Sequence, residues 1–179
     1  MIGRSTLRIS ELVGAVKQYS FRDQATEQDV DIHDGLENTL VILAYRLKSM
    51  TVNRDYDTTI PPVRTYGSGL NQEWTNILDN AVDATGGDGA IAIRTFRDGQ
   101  LAVVEISDDG SGIPGEHLSR IFEPFYTTKP QGEGSGLGLD IAWRIVTEEH
   151  GGQITVDSES GRTTFRVAIP ICRETEAND

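Results

Sequence analysis

The run Leu101-Ala102-Val103-Val104-Glu105-Ile106-Ser107-Asp108-Asp109-Gly110-Ser111-Gly112-Ile113-Pro114 decides how this chain is read. Its first half is apolar and predicts a strand over 101–108. That strand ends on a carboxylate followed at once by a glycine turn, and strand ends are where sites tend to be built. Upstream, Arg97-Asp98-Gly99-Gln100 contains Asp-Gly, a hairpin signal, so a partner strand is expected at about 90–96. Further upstream, Asn76-Ile77-Leu78-Asp79-Asn80-Ala81 falls within a helix expected over roughly 70–84 and stopped by Gly86-Gly87. Downstream, Phe122-Glu123-Pro124-Phe125-Tyr126-Thr127-Thr128-Lys129 leads into Gly134-Ser135-Gly136-Leu137-Gly138-Leu139.

The remaining elements follow from periodicity. Ile9, Leu12, Val13 and Val16 form one apolar stripe of a helix over 5–22, and the polar stretch 22–29 reads as a linker. Asp31 is a good cap for a second helix through Leu36, Leu40, Leu43 and Leu47. A short strand is expected over 52–56, after which Ile60-Pro61-Pro62 interrupts regular structure. A short helix lies near 116–121 and a long one over 137–150, ending at Gly151-Gly152. Strands over 153–158 and 163–169 close the pattern, and the tail from Arg173 is polar. Hairpins mixed with helices, rather than repeated βαβ units, predict a two-layer α/β sandwich with a mixed sheet.

Composition bounds the function. The chain has 179 residues, of which 37% are hydrophobic and 25% charged, enough for one domain with a real core. No apolar run approaches the roughly 20 residues that span a bilayer, and Met1-Ile2-Gly3-Arg4-Ser5 lacks the apolar core of a signal peptide. The net charge of −12 argues against a broad basic face for nucleic acid. The single cysteine, Cys172, excludes an internal disulfide and a cysteine-based zinc site.

Three clusters carry chemistry. Asn76 and Asn80, four apart on a helix, project from one face, with Glu73 and Asp83 near it. Two amide oxygens suit a hard cation that takes its other oxygens from phosphates. An isolated Asn-x-x-x-Asn is most often a solvated stripe, but this helix is otherwise apolar, with Trp74, Ile77, Leu78, Ala81 and Val82. Asp108 at its strand end can accept a hydrogen bond from the exocyclic amine of adenine, with Gly110 and Gly112 letting the backbone approach the base. The glycines at 132, 134, 136 and 138 fit no Gly-x-Gly-x-x-Gly pattern, and no Gly-Lys pair exists for a P-loop. They read as a mobile loop that turns into a helix at Leu137, whose free amides suit phosphate.

In this order, the asparagine pair, Asp-x-Gly-x-Gly, Phe-Glu-Pro-Phe-Tyr-Thr-Thr-Lys and Gly-x-Gly-Leu-Gly-Leu resemble the ATP-binding catalytic domain of sensor histidine kinases. These belong to the ATPase group that includes gyrase B, Hsp90 and MutL. The resemblance spans roughly 30–170. It implies an α/β sandwich with helices on one face and a flexible ATP lid over 127–136. It implies ATP and magnesium as ligands, with Asn80 the principal metal ligand, Asn76 assisting, and both serving catalysis. Asp108 would read adenine, supported by Gly110 and Gly112, with Thr163 near the base. Gly134, Gly136, Leu137 and Gly138 would lie at the phosphates, and Lys129 could add charge there.

The resemblance further implies a phosphoryl transfer to histidine, on a dimeric helical hairpin, and onward to a response regulator in two-component signalling. Residues 1–28 resemble the end of such a hairpin and its linker, 29–172 the catalytic domain, and 173–179 a tail. None of His33, His117 and His150 falls where the family places its acceptor, so the chain alone is expected to be inactive toward itself. The full kinase would be a homodimer, and this part would be cytoplasmic, without membrane contact, even if its parent is anchored. Two rivals remain open: a stand-alone serine kinase of the anti-sigma type, and a nucleotide-gated interaction module.

Overall fold

The structure is a computed structural model that describes residues 27–66 and 69–171. The expected helix over 5–22, most of the linker, Cys172 and the polar tail lie outside the described residues. In chain order the elements are strand β1 (Glu27–Val30), helices α1 (Ile32–Ile42) and α2 (Ala44–Leu47), strands β2 (Thr51–Tyr56) and β3 (Val63–Tyr66), and helix α3 (Gly69–Thr85). The hairpin β4 (Ala90–Asp98) and β5 (Leu101–Asp108) follows, then the short helix α4 (Gly115–Leu118) and helix α5 (Gly138–Arg144). Helix α5 runs on as a π-turn over Ile145–Glu149, and the hairpin β6 (Gln153–Glu159) and β7 (Arg162–Pro170) ends the fold.

Five strands form one mixed sheet in the order β2-β4-β5-β7-β6, with β2 parallel to β4 and the other pairings antiparallel. Period-two alternation assigns its faces. Ile91, Ile93, Val104, Ile106, Phe165, Val167 and Ile169 point to the helices and belong to the core. The opposite face is mixed: Val103 and Ala168 are buried there, Arg166 pairs with Asp98 and Glu105, and Ser107 bonds Thr164 at 2.8 Å. Among the described residues helices cover one face only, giving the expected two-layer sandwich.

Helix α3 is the keystone of the helical layer. Leu70, Trp74, Ile77, Leu78, Ala81 and Val82 recur at helical spacing and all are buried. Each large side chain removed from water contributes about 1.5–3 kcal/mol. Helix α1 begins as expected, with the Asp31 side chain accepting from the His33 amide at 2.8 Å. Its apolar positions reach Leu47, but the helix breaks at Leu43, so one expected helix is two.

Three other features differ from expectation. Strands β1 and β3 pair antiparallel as a separate two-stranded ribbon, with Glu27 opposite Tyr66. Both are four residues long and weakly patterned, so only their pairing defines them. The helix expected over 116–121 is a single turn. The helix expected over 137–150 widens after Arg144, where the His150 amide bonds the Ile145 carbonyl at 3.2 Å, five residues back. The wider turn tucks the His150 ring under the helix end. There Nδ1 donates to the same carbonyl at 2.7 Å, and Nε2 meets Thr65 Oγ1 at 2.8 Å.

Glu73 also departs from its expected place. It does not share the asparagine face but turns into the core, fully buried, with no hydrogen-bond partner among the described residues for either carboxylate oxygen. Burial, reinforced by the charge of Glu149, pushes its carboxyl well above the usual 4.5. The unfolded chain ionises near 4.5 and the folded one resists, so stability is fullest below that value and falls as pH rises toward the folded value. We expect Glu73→Gln to leave stability near pH 4 unchanged and to raise it at pH 8. The gain in Tm should be roughly 2–4 °C for each kcal/mol relieved, and thermal melts across pH check it.

Candidate functional site

Two groups of side chains flank helix α3. The first lines a cavity of about 530 Å³ between α3, the start of α5 and the segment 121–139. Asn76 and Asn80 reach it from α3, and Lys129, Gly134, Gly136, Leu137 and Gly138 from the other side. The expected asparagine face, loop and helix start are thus brought together across more than fifty residues of sequence. A Cβ added to Gly138 would lie 3.6 Å from Asn76 Oδ1, so the α5 start and the asparagine pair are immediate neighbours.

The amide of Asn76 is half used. Its oxygen accepts from Gln72 Nε2 at 3.1 Å, while its Nδ2 is buried without a partner among the described residues. An orphaned donor beside the open amides of a helix start suits an anionic oxygen. Asn80 Oδ1 accepts from the Lys129 ammonium at 3.3 Å, and that ammonium also pairs with Asp83. Amide and carboxylate oxygens gathered at one point are a donor set for a hard cation. Arg46 on α2 completes this wall by pairing with both Asp79 and Asp83. Burial raises the Asp83 carboxyl, but the hydrogen bonds and charges of Lys129 and Arg46 outweigh it and hold the group below the usual carboxylate range.

The sequence reading named Asp83 only as a neighbour and missed Arg46 and Asp79. Asp79 and Asp83, four apart and interleaved with Asn76 and Asn80, were a visible acidic row. Arg46 gave no signal, because only packing of α2 beside α3 brings it there.

The segment over the cavity is tied at its base. The Phe125 amide donates to the Gly136 carbonyl at 2.8 Å, so residues 126–135 form a loop with joined ends. Gly136 sits at φ 68°, and a Cβ there would meet the Phe125 carbonyl carbon at 2.4 Å. Phe125 itself has φ 66°, a rare conformation for a bulky residue and a strained point at the loop hinge.

The second group stands at one end of the sheet. Pairing register aligns Ile91, Asp108, Thr163 and Ser158 across four strands. Asp108 is only 5% exposed and accepts from the Gly110 amide at 2.9 Å. Burial, with the nearby charge of Asp109, raises its carboxyl despite that hydrogen bond. Thr163 Oγ1 bonds Ser158 Oγ at 2.8 Å, and Ser158 Oγ also accepts from the Ile113 amide at 2.8 Å. Gly112, at φ 79°, lies so near Glu159 that a Cβ would meet its carbonyl oxygen at 2.1 Å. Asp108, Gly110, Gly112 and Thr163 therefore form one cluster, with the Ser111 amide bonded to the Ala84 carbonyl of α3 at 3.1 Å.

Comparison with known proteins gives this arrangement a lineage. A family profile described as histidine kinase-, DNA gyrase B-, and HSP90-like ATPase matches residues 66–173. The sensory histidine kinase/phosphatase NtrB of Rhodobacter capsulatus is 35% identical over 96% of this chain, which spans 51% of that relative. The sensor kinase CckA of Brucella abortus is 33% identical over 99% of the chain, spanning 21% of that protein. The chain thus covers about half or less of these curated relatives. Among solved structures, the nucleotide-free catalytic domain of histidine kinase ThkA aligns with a TM-score of 0.74 at 26% identity, covering 82% of this chain and 98% of that one. ThkA in complex with the response regulator TrrA aligns with a TM-score of 0.73 at 25% identity, covering 96% of this chain and 50% of that one. Matching profile, relatives and fold agree that the chain belongs to the histidine kinase-, DNA gyrase B- and HSP90-like ATPases, and among them to the ATP-binding catalytic domains of sensor histidine kinases.

Proposed function

We propose that this domain binds ATP with magnesium and presents the γ-phosphoryl group to a histidine on a separate dimeric helical hairpin. From there the group passes to a response regulator. The observation that carries this reading is the convergence of Asn76, Asn80, Lys129, Gly134, Gly136, Leu137 and Gly138 on one cavity.

Each residue has a task suited to its atoms. Asp108 offers a fixed carboxylate oxygen to the adenine amine, with Gly110, Gly112 and Thr163 shaping the floor beneath the base. Asn76 turns Nδ2, which has no partner among the described residues, to a phosphate oxygen; Gly134, Gly136 and Gly138 bring backbone amides to the phosphates, and Leu137, whose amide is bonded to Ser135 Oγ at 3.3 Å, lines the same wall. Asn80 is the principal ligand for magnesium, and Asn76 stands beside it. An ion held by these amides would neutralise phosphate charge during transfer. Lys129 brings a further cation over the phosphates. No side chain has to form a covalent intermediate, because catalysis is by positioning and charge neutralisation.

The histidines support an acceptor elsewhere. His33 meets Asp31 Oδ1 at 2.8 Å and Thr95 Oγ1 at 2.9 Å. His117 contacts the Tyr126 hydroxyl and Glu116, and His150 is buried. The proposed whole protein is a homodimeric kinase whose catalytic domain works in the cytoplasm. No helix among the described residues is long and apolar enough to cross a membrane.

Asp108→Asn would keep an oxygen for the Gly110 amide but set an N–H₂ against the adenine amine. Calorimetry should show ADP affinity reduced roughly ten- to hundredfold, the cost of opposing two buried donors, in a protein that remains folded. Unchanged affinity would remove Asp108 from the base site.

Asn80→Ala should weaken ATP binding in magnesium while sparing ADP binding measured in a chelator. Equal losses in both conditions would make Asn80 structural.

Incubated alone with radiolabelled ATP, the chain should bind nucleotide and gain no acid-labile phosphate. Adding the helical hairpin of its parent kinase should place the label on the hairpin. Phosphohistidine on the isolated chain that disappears in His33→Ala would overturn this reading.

A further inference from the structure

One wall of the cavity is a balanced charge cluster built from three separate parts of the chain. Arg46 of α2 reaches Asp79 through one guanidinium nitrogen and Asp83 Oδ1 through another. The second carboxylate oxygen of Asp83 holds the ammonium of Lys129. That ammonium is simultaneously 3.3 Å from Asn80 Oδ1. Two cations and two carboxylates cancel here, with the Asn80 oxygen against one of the cations.

Lys129 belongs to the loop whose ends are joined by Phe125 and Gly136. At its base the Tyr126 hydroxyl bonds His117 Nδ1; beyond that, the loop's other hydrogen bonds among the described residues are local: the Lys129 amide to Thr127 Oγ1 at 3.1 Å, the Glu133 amide to the Pro130 carbonyl at 3.0 Å, and the Leu137 amide to Ser135 Oγ at 3.3 Å. Lys129 is thus a side chain that ties the loop tip across the cavity to α3. Its ammonium stands at the very oxygen that a metal ion would use. Two cations cannot share one amide oxygen without strong mutual repulsion, so a metal-bound nucleotide and this lysine position exclude one another.

We propose that Asp83, anchored by Arg46, is a positioning residue for the lid: in the empty site it parks Lys129 over Asn80, and an entering metal-bound nucleotide exchanges that contact for one between Lys129 and the phosphates. The inference rests on the nucleotide reading above. Arg46 gives the exchange its second half. When Lys129 leaves, Asp83 keeps a cation and is not left as a bare carboxylate beside phosphate. Held below the usual carboxylate range by Lys129 and Arg46 against the effect of burial, Asp83 is charged throughout the physiological range. The contact therefore responds to salt and to nucleotide.

Hydrogen exchange over 127–136 in the empty protein tests it. Asp83→Asn should speed exchange of this segment about two- to fivefold, the population change that a partly exposed ion pair supports. Asp83→Glu, which keeps the charge, should restore the slower exchange. Lys129→Gln should match Asp83→Asn, and the double variant should go no further. Raising salt from about 0.1 M to about 1 M shortens the screening length from roughly 10 to 3 Å and should speed the wild type but not Asp83→Asn. With magnesium and ADP, the wild type and Asp83→Asn should be protected alike, and Lys129→Gln less. Unchanged exchange in empty Asp83→Asn, or additive effects of the two substitutions, would overturn the proposal. A wild type that binds no nucleotide in calorimetry would overturn the nucleotide reading instead, and the empty-protein result would still judge the lid contact.

Discussion

Helix α3 has to satisfy two opposed environments at once, and the rest of the molecule is arranged around that constraint. Trp74, Ile77, Leu78 and Ala81 fix it against the sheet and the neighbouring helices. The same turns carry Asn76, Asn80 and Asp83 to the cavity on its other side. A tightly packed face holds the polar face in position, because a close-packed interior leaves little freedom for the helix to roll or slide. Amides placed this way are held by the core beneath them.

An acidic chain can still present a cavity wall without excess negative charge. The chain has a net charge of −12, yet Asp79 and Asp83 at the cavity are paired. Arg46 and Lys129 cancel these two carboxylates locally, which leaves oriented amides as the main fixed dipoles of that wall. Fixed dipoles of this kind cost little reorganisation when charge arrives, which is the physical basis of electrostatic catalysis. Glu73 is the exception within the same helix. Its unpaired, buried carboxyl contributes nothing visible to the cavity and lowers stability in its ionised form.

Close backbone approaches define the other half of the site. Gly112 fits against the Glu159 carbonyl only because it has no side chain. Gly136 does the same against Phe125, where a strained backbone marks the base of the lid. Beside Gly112, Asp108 and Thr163 share one row of the sheet, so antiparallel pairing aligns residues more than fifty positions apart.

Much of this was legible in the residues themselves. Apolar periodicity marked α3, β4, β5 and β7, Asp-Gly marked the hairpin, and the order of four motifs marked the family. These signals are local, and each depends only on residues near one another along the chain. Tertiary structure alone decided the rest. It paired β1 with β3, broke the first helix at Leu43, opened the π-turn beneath His150, turned Glu73 inward and brought Arg46 to Asp79 and Asp83. Each of these is a contact between distant segments, and its energy exists only once the chain has closed the loop between them. The sequence by itself therefore determined which side chains could bind nucleotide, whereas packing determined which charges surround them.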